Sequence, residues 1–169
     1  IEPLPVEILG AGVSSDAEHI ITPSKDGPKL AIRRAFENAN VDPLQISLWD
    51  MHATGTPGDW NELNLIEEFA PKSAYISARK GIFGHGMSVG GGWELTAQLL
   101  GTKKTNRNTY QLLPSGINPA NINPKISSLG RNLLLDKVVE IPAPAEGLVC
   151  GKLSLGLGGT TSCVIARVK

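Results

Sequence analysis

The chain has little that would tie it to a charged polymer or a bilayer. Its 16 Lys and Arg balance 16 Asp and Glu, so no whole-molecule field draws it to nucleic acid or to an anionic membrane. No run of about 18 apolar residues occurs, and no charged-then-apolar signal pattern opens the sequence, so a soluble protein without membrane contact is expected. Cysteine is scarce. Cys150 and Cys163 lack metal-ligand spacing and are too few for a disulfide framework, which favours a reducing, cytoplasmic setting and leaves open one bridge between them. The spacing G-x-x-x-x-G-K-[ST] of a phosphate loop is missing, which argues against a nucleotide. Aromatic residues make up 5%. Trp49, Trp60 and Trp93 have no basic clusters beside them, so they read as core or interface rather than as a stacking platform. The first residue is Ile1, not Met, which implies a processed product, a trimmed chain or a fragment of something longer.

What is present suits one globular domain over residues 1–169, with 41% hydrophobic residues and many tight turns from 19 glycines and 12 prolines. A β-rich run at 6–13 leads through a polar connection to a helix that Asp26 can cap and that Asn40 and Pro43 end, with Leu30, Ala31, Ala35, Phe36 and Ala39 at helical spacing. The apolar run 46–51 reads as a buried strand, followed by a helix over 60–69 with Asp59 as its cap, and then by a strand at 74–78. The next helix, 87–100, contains Gly90, Gly91 and Gly92; the triplet costs about 3 kcal/mol against alanine unless another backbone approaches closely. Residues 101–136 are turn-rich. Strands follow at 138–141, 151–157 and 161–168, the last two a hairpin around Gly158-Gly159. The pattern predicts an α/β fold, a mixed, mostly parallel five-stranded sheet flanked by helices, with ligands beyond the carboxyl ends of the strands.

Two loops leave that end of the sheet carrying histidines, HATGTPGD at 52–59 and ARKGIFGHG at 78–86. Imidazoles on two loop tips can converge on one carbonyl as hydrogen-bond donors or acid/base groups. Thr54 and Thr56 add hydroxyls beside His52. His85 lies at the mouth of a helix, which disfavours imidazolium and leaves a neutral donor. Lys80 is either a solvated loop charge or part of the site, and Glu94 either a solvated helix charge or the group that orients Lys80. The turn around Leu157 and Gly158 is either a plain hairpin or a source of backbone N–H donors for an oxyanion. His19 reads as structural. No third ligand joins His52 and His85, so no metal is expected. Neither cysteine stands where a nucleophile belongs; both read as buried thiols.

GAGVSSDAEHIITPSKDG at 10–27, HATGTPGD, SARKGIFGHG and SLGLGGTTSCVI, in this order, resemble the four motifs of the C-terminal half of β-ketoacyl synthases, condensing enzymes of thiolase-like fold that serve fatty-acid and polyketide synthesis. Histidine at both sites is similar to the elongating Cys-His-His type; starter enzymes pair His with Asn, and thiolases do not decarboxylate malonyl units. The resemblance implies that His52 and His85 polarise a malonyl thioester during decarboxylative condensation. It implies that Lys80 and Glu94 form a supporting ion pair, that Thr54 and Thr56 bind the pantetheine arm, and that the nucleophilic cysteine belongs to an N-terminal half. No cofactor is implied beyond the phosphopantetheine of an acyl carrier protein or CoA as substrate carrier. Partners implied are the N-terminal ketosynthase half, the carrier and a second complete unit in a dimer. Leu157 replaces the family's gating phenylalanine, Ala53 replaces a glycine, and Arg79 and Gly81 replace a small polar pair. The alternatives are a non-catalytic chain-length or carrier-binding subunit and a thiolase-type or hydrolytic enzyme. A cut edge in a two-half fold should expose apolar surface and bind its partner tightly.

Overall fold

The computed structural model of the chain describes residues 5–106 and 108–169. Its main sheet comprises β1 (Val6–Ser15), β2 (Ile46–Asp50), β3 (Tyr75–Ser77), β6 (Asn132–Leu133), β8 (Leu148–Leu155) and β9 (Thr160–Val168), in the order β1-β9-β8-β2-β3-β6. The β8/β2, β2/β3 and β3/β6 pairs are parallel, and β9 runs antiparallel to both β1 and β8. A second, antiparallel sheet joins β4 (Thr102–Asn106), β5 (Thr109–Leu112) and β7 (Val139–Pro142). The sheet is therefore mixed as expected, but it has six strands rather than five. The strand expected at 138–141 belongs to the other sheet, and the turn-rich segment contains β4, β5 and β6. Polar β4, with only Thr102 buried, carries no hydrophobic signal, and two-residue β6 is too short to show a period.

β2 is buried on both faces, which is why it reads as a continuous apolar run. On one side Ile46 and Trp49 join Ile76, Val149, Leu153, Cys163 and Ile165 beneath α1 (Asp26–Ala39) and α2 (Gly58–Ile66). On the other, Leu48, Leu148, Cys150 and Val168 pack on Tyr110 and Leu112 of the second sheet, where the Tyr110 hydroxyl donates to the Val168 carbonyl at 2.8 Å. Cys150 and Cys163 thus lie in different cores as free, buried thiols, and burial pushes each up to about 12. That removes the open possibility of a bridge between them.

α1 presses directly onto β1: a Cβ on Gly12 would come within 2.1 Å of the Ala31 carbonyl oxygen, so glycine is required there. Two expected caps differ. Asp26 is inside the first turn of α1, and the Ser24 hydroxyl accepts from Gly27 N–H at 2.8 Å instead. Asp59 is likewise inside α2 and turns back onto the preceding loop. The helix expected at 87–100 divides into a 3-10 turn, Met87–Val89, and α4 (Gly90–Leu100), so the glycine triplet forms the first turn rather than the interior. Its gain is also different from expectation. A Cβ on Gly91 would meet the Ser154 hydroxyl of β8 at 2.6 Å, so a side chain, not a backbone, makes the close approach.

α4 is turned inside out. Its buried stripe is Gly90, Glu94 and Gln98, while Trp93 and Leu100 are exposed. Gln98 donates to the Gly151 carbonyl of β8 at 3.0 Å, which satisfies part of that polar inner face. Ile82, Phe83, Met87, Val89 and Leu157 are exposed as well. Among the described residues no helix is long and apolar enough to cross a membrane.

Candidate active site

The loop after β2 is held from behind by carboxylates. Glu62, buried in α2, accepts from the backbone N–H of His52 at 2.6 Å and of Ala53 at 2.9 Å, one to each oxygen. Asp59 accepts from Thr54 N–H and Gly55 N–H, both at 2.9 Å. These four bonds hold Ala53 at φ +25°, a conformation that costs a non-glycine residue roughly 1–2 kcal/mol. Burial pushes the Glu62 carboxyl up to about 7, against the pull of the Ala53 and His52 amides. Thr54 and Thr56 sit exposed at the loop tip with their hydroxyls 3.1 Å apart.

The second loop begins after β3 with the short helix α3 (Lys80–Phe83). It brings His85 opposite His52, the ring centroids 5.4 Å apart and the planes nearly perpendicular at 78°. His85 Nδ1 accepts from Met87 N–H at 3.2 Å. Lys80 Nζ lies 3.3 Å from His52 Nδ1 and also donates to the His52 carbonyl. An ammonium has only protons to offer, so His52 Nδ1 is an acceptor too. Both rings therefore carry their proton on Nε2, and each presents an N–H donor. Burial, then the charges of Lys80 and Lys152, hold His52 down at about 3, so it is neutral at physiological pH.

Lys80 is paired with Glu94 as expected, and the Glu94 side chain is buried. Burial works to raise the Glu94 carboxyl, but Lys152 and Lys80 outweigh it and the net shift is downward. The sequence reading missed the rest of this charge cluster. Lys152 of β8 touches Glu94 Oε2 at 2.5 Å and Asp50 Oδ2 at 3.4 Å, and Arg79 Nε reaches Asp50 Oδ1 at 3.2 Å. The Ser77 hydroxyl donates to Asp50 at 2.5 Å. A lysine inside the otherwise apolar run LVCGKL was the available signal, because a charge in a strand buried on both faces is rare unless it is paired. Glu62 gave a weaker one.

The β8–β9 turn has two of its glycine N–H groups already in use. Gly158 N–H is used by the Ile20 carbonyl at 2.8 Å and Gly156 N–H by the Thr160 carbonyl at 2.7 Å, whereas the Leu157 amide has no partner among the described residues. His19 is structural, its Nδ1 accepting from Ile21 and Thr22 N–H at 3.1 and 3.0 Å. Among the described residues no group of three or more His, Cys, Asp or Glu is placed to hold a metal ion.

Comparison with known proteins bears on the family and the fold. The chain is 35% identical over 100 residues to the chloroplastic 3-oxoacyl-[acyl-carrier-protein] synthase I of Arabidopsis thaliana, covering 56% of this chain and 21% of that protein. It is 33% identical over 103 residues to 3-oxoacyl-[acyl-carrier-protein] synthase 2 of Staphylococcus aureus, covering 57% and 26%. The chain thus matches about a quarter or less of the length of these curated relatives. Among solved structures, the ishigamide ketosynthase/chain length factor superposes with a TM-score of 0.77 at 23% identity, covering 99% of this chain and 39% of that one. A ketosynthase in complex with its chain length factor from Xenorhabdus doucetiae gives 0.71 at 26%, covering 99% and 40%. The fold is that of the thiolase-like ketosynthases. The family model described as β-ketoacyl synthase, C-terminal domain, matches residues 6–106, and the chain belongs to that family.

Proposed function

We propose that this chain is the C-terminal part of a β-ketoacyl synthase that catalyses decarboxylative Claisen condensation of an acyl thioester with a malonyl thioester, and that it supplies both catalytic histidines. The reading rests on the paired imidazoles: two rings 5.4 Å apart, each with Nδ1 already accepting, each left with an Nε2–H to donate. Two such donors suit one malonyl thioester oxygen. As the carbon–carboxylate bond breaks and carbon dioxide leaves, its electron pair forms an enolate whose oxygen the two N–H groups stabilise. The enolate carbon then attacks the acyl carbonyl, forming the new carbon–carbon bond and expelling the thiolate that carried the acyl group. The Leu157 amide is a donor available for the oxyanion of that second carbonyl, while the Gly158 N–H is committed to the Ile20 carbonyl and not to substrate. In this reading Thr54 and Thr56, whose hydroxyls are exposed at the loop tip, bind the pantetheine arm of a carrier protein or CoA.

The acyl group needs a thiolate, and Cys150 and Cys163, buried at about 12, do not provide one. The nucleophilic cysteine therefore comes from the N-terminal ketosynthase half. The outward apolar side of α4 and the exposed Phe83, Met87 and Val89 support a tight contact with it. A subunit that only shapes a chain-length tunnel has no use for the neutral His52 or for its lysine.

The test is to combine the chain with the cysteine-bearing half and follow acyl transfer and carbon dioxide release from malonyl thioester. Loss of release by about 100-fold or more in His52→Ala and in His85→Ala is expected. Unchanged rates in both would refute the assignment.

A further inference from the structure

Lys152 is a buried cation that the mechanism above does not use. It is 2% exposed, and its ammonium is fully engaged: Glu94 Oε2 at 2.5 Å, the Met51 carbonyl at 2.9 Å, the Leu153 carbonyl at 2.8 Å and Asp50 Oδ2 at 3.4 Å. Burying an ammonium is costly even when it is paired, so such a residue is poor evidence for stability and better evidence for a geometric task. Two of its contacts lead to His52. Glu94 offers its other oxygen to Lys80, which reaches His52 Nδ1 and the His52 carbonyl. Met51 directly precedes His52, so the carbonyls of residues 51 and 52 are held by two different lysines, while Glu62 holds the intervening His52 N–H.

We infer that Lys152 is a positioning residue for His52: by occupying Glu94 Oε2 and the Met51 carbonyl it leaves Lys80 aimed at His52 Nδ1, and so fixes the His52 proton on Nε2. This rests on reading His52 as a donor to substrate. The local ion pairs support it, since among the described residues the three cations Lys80, Lys152 and Arg79 are in salt-bridge contact with the two carboxylates Asp50 and Glu94. Around His52 itself the charged and titratable neighbours are Lys80 from α3, Lys152 from β8, Glu94 from α4, His85 from the second loop and Glu62 from α2. Removing Lys152 deletes one cation and leaves Glu94 to draw Lys80 away from the ring.

The test is made on His52 directly, by nitrogen NMR of histidine-labelled full protein, whose three histidines can be assigned by single substitutions. Wild type should show His52 as the Nε2–H tautomer. Lys152→Met, in which Lys80 and Arg79 balance Glu94 and Asp50, should raise the His52 pKa by about one unit or more and populate the Nδ1–H form. Lys152→Gln, which keeps a donor for the Met51 carbonyl, is the second variant should the first fail to fold, and should shift the pKa in the same direction. An unchanged tautomer and pKa in a folded variant overturns the inference. Because the readout is the ring and not turnover, it is decided separately from condensation, which the His52→Ala and His85→Ala assays decide.

Discussion

The loop bearing His52 and the helix α2 behind it hold two titrating groups, His52 and Glu62, with opposite pH dependences, and single substitutions should separate them. Glu62, raised from 4.5 to about 7, favours the folded state when protonated; its contribution is complete below 4.5 and is lost as pH rises through 7. His52, lowered from 6.5 to about 3, behaves in the reverse sense: its contribution is complete above 6.5 and is lost as pH falls toward 3. Between pH 7 and pH 5, Glu62 adds about 2 kcal/mol and His52 removes about 2 kcal/mol, or nearer 1 after solvent screening at its partly exposed ring. The wild-type protein should therefore show only a shallow dependence from this loop. Glu62→Gln should lose stability on acidification to pH 5, and His52→Gln should gain it. Urea unfolding at pH 5, 6 and 7 measures this, with the midpoints of the two variants diverging by on the order of 1 M across the range. Midpoints that move in parallel would refute the assigned burial and pairing of both groups.

Ala53→Gly should raise Tm by about 2 °C, because relief of the left-handed strain at φ +25° exceeds the added entropy of the unfolded glycine; a fall in Tm of similar size would show that the loop is relaxed. Cys150 and Cys163 should resist a thiol-specific disulfide reagent at pH 8 in the folded protein and both react in denaturant; reaction of either before unfolding would contradict their burial.

The histidine loops were legible because their chemistry is local: glycine, threonine and proline at the ends of short apolar runs mark a tight turn wherever they occur. The hairpin at the C-terminus was legible for the same reason. What escaped depends on long-range partners. Lys152 meets Glu94 only because β8 lies under α4, and Asp50 meets Arg79 only because β2 and β3 are parallel neighbours. Asp59 has the composition of a helix cap, yet the preceding amides of Thr54 and Gly55 compete for it and win. The orientation of α4 was also not legible, for a physical reason. Its apolar residues suggest an inward face, but in this helix the inward side is where the charges are.

That reversal separates two demands that proteins usually place on the same surface. A polar replacement at Leu100 would make the isolated chain easier to keep in solution while weakening the proposed mating with a second half, and Leu100 lies more than a turn along the helix from Glu94, whereas the ring of Trp93 lies against Gly86, next to His85. Assembly with such a half would thus be tunable at the end of the rod, while its beginning is shared with the proton-bearing loop.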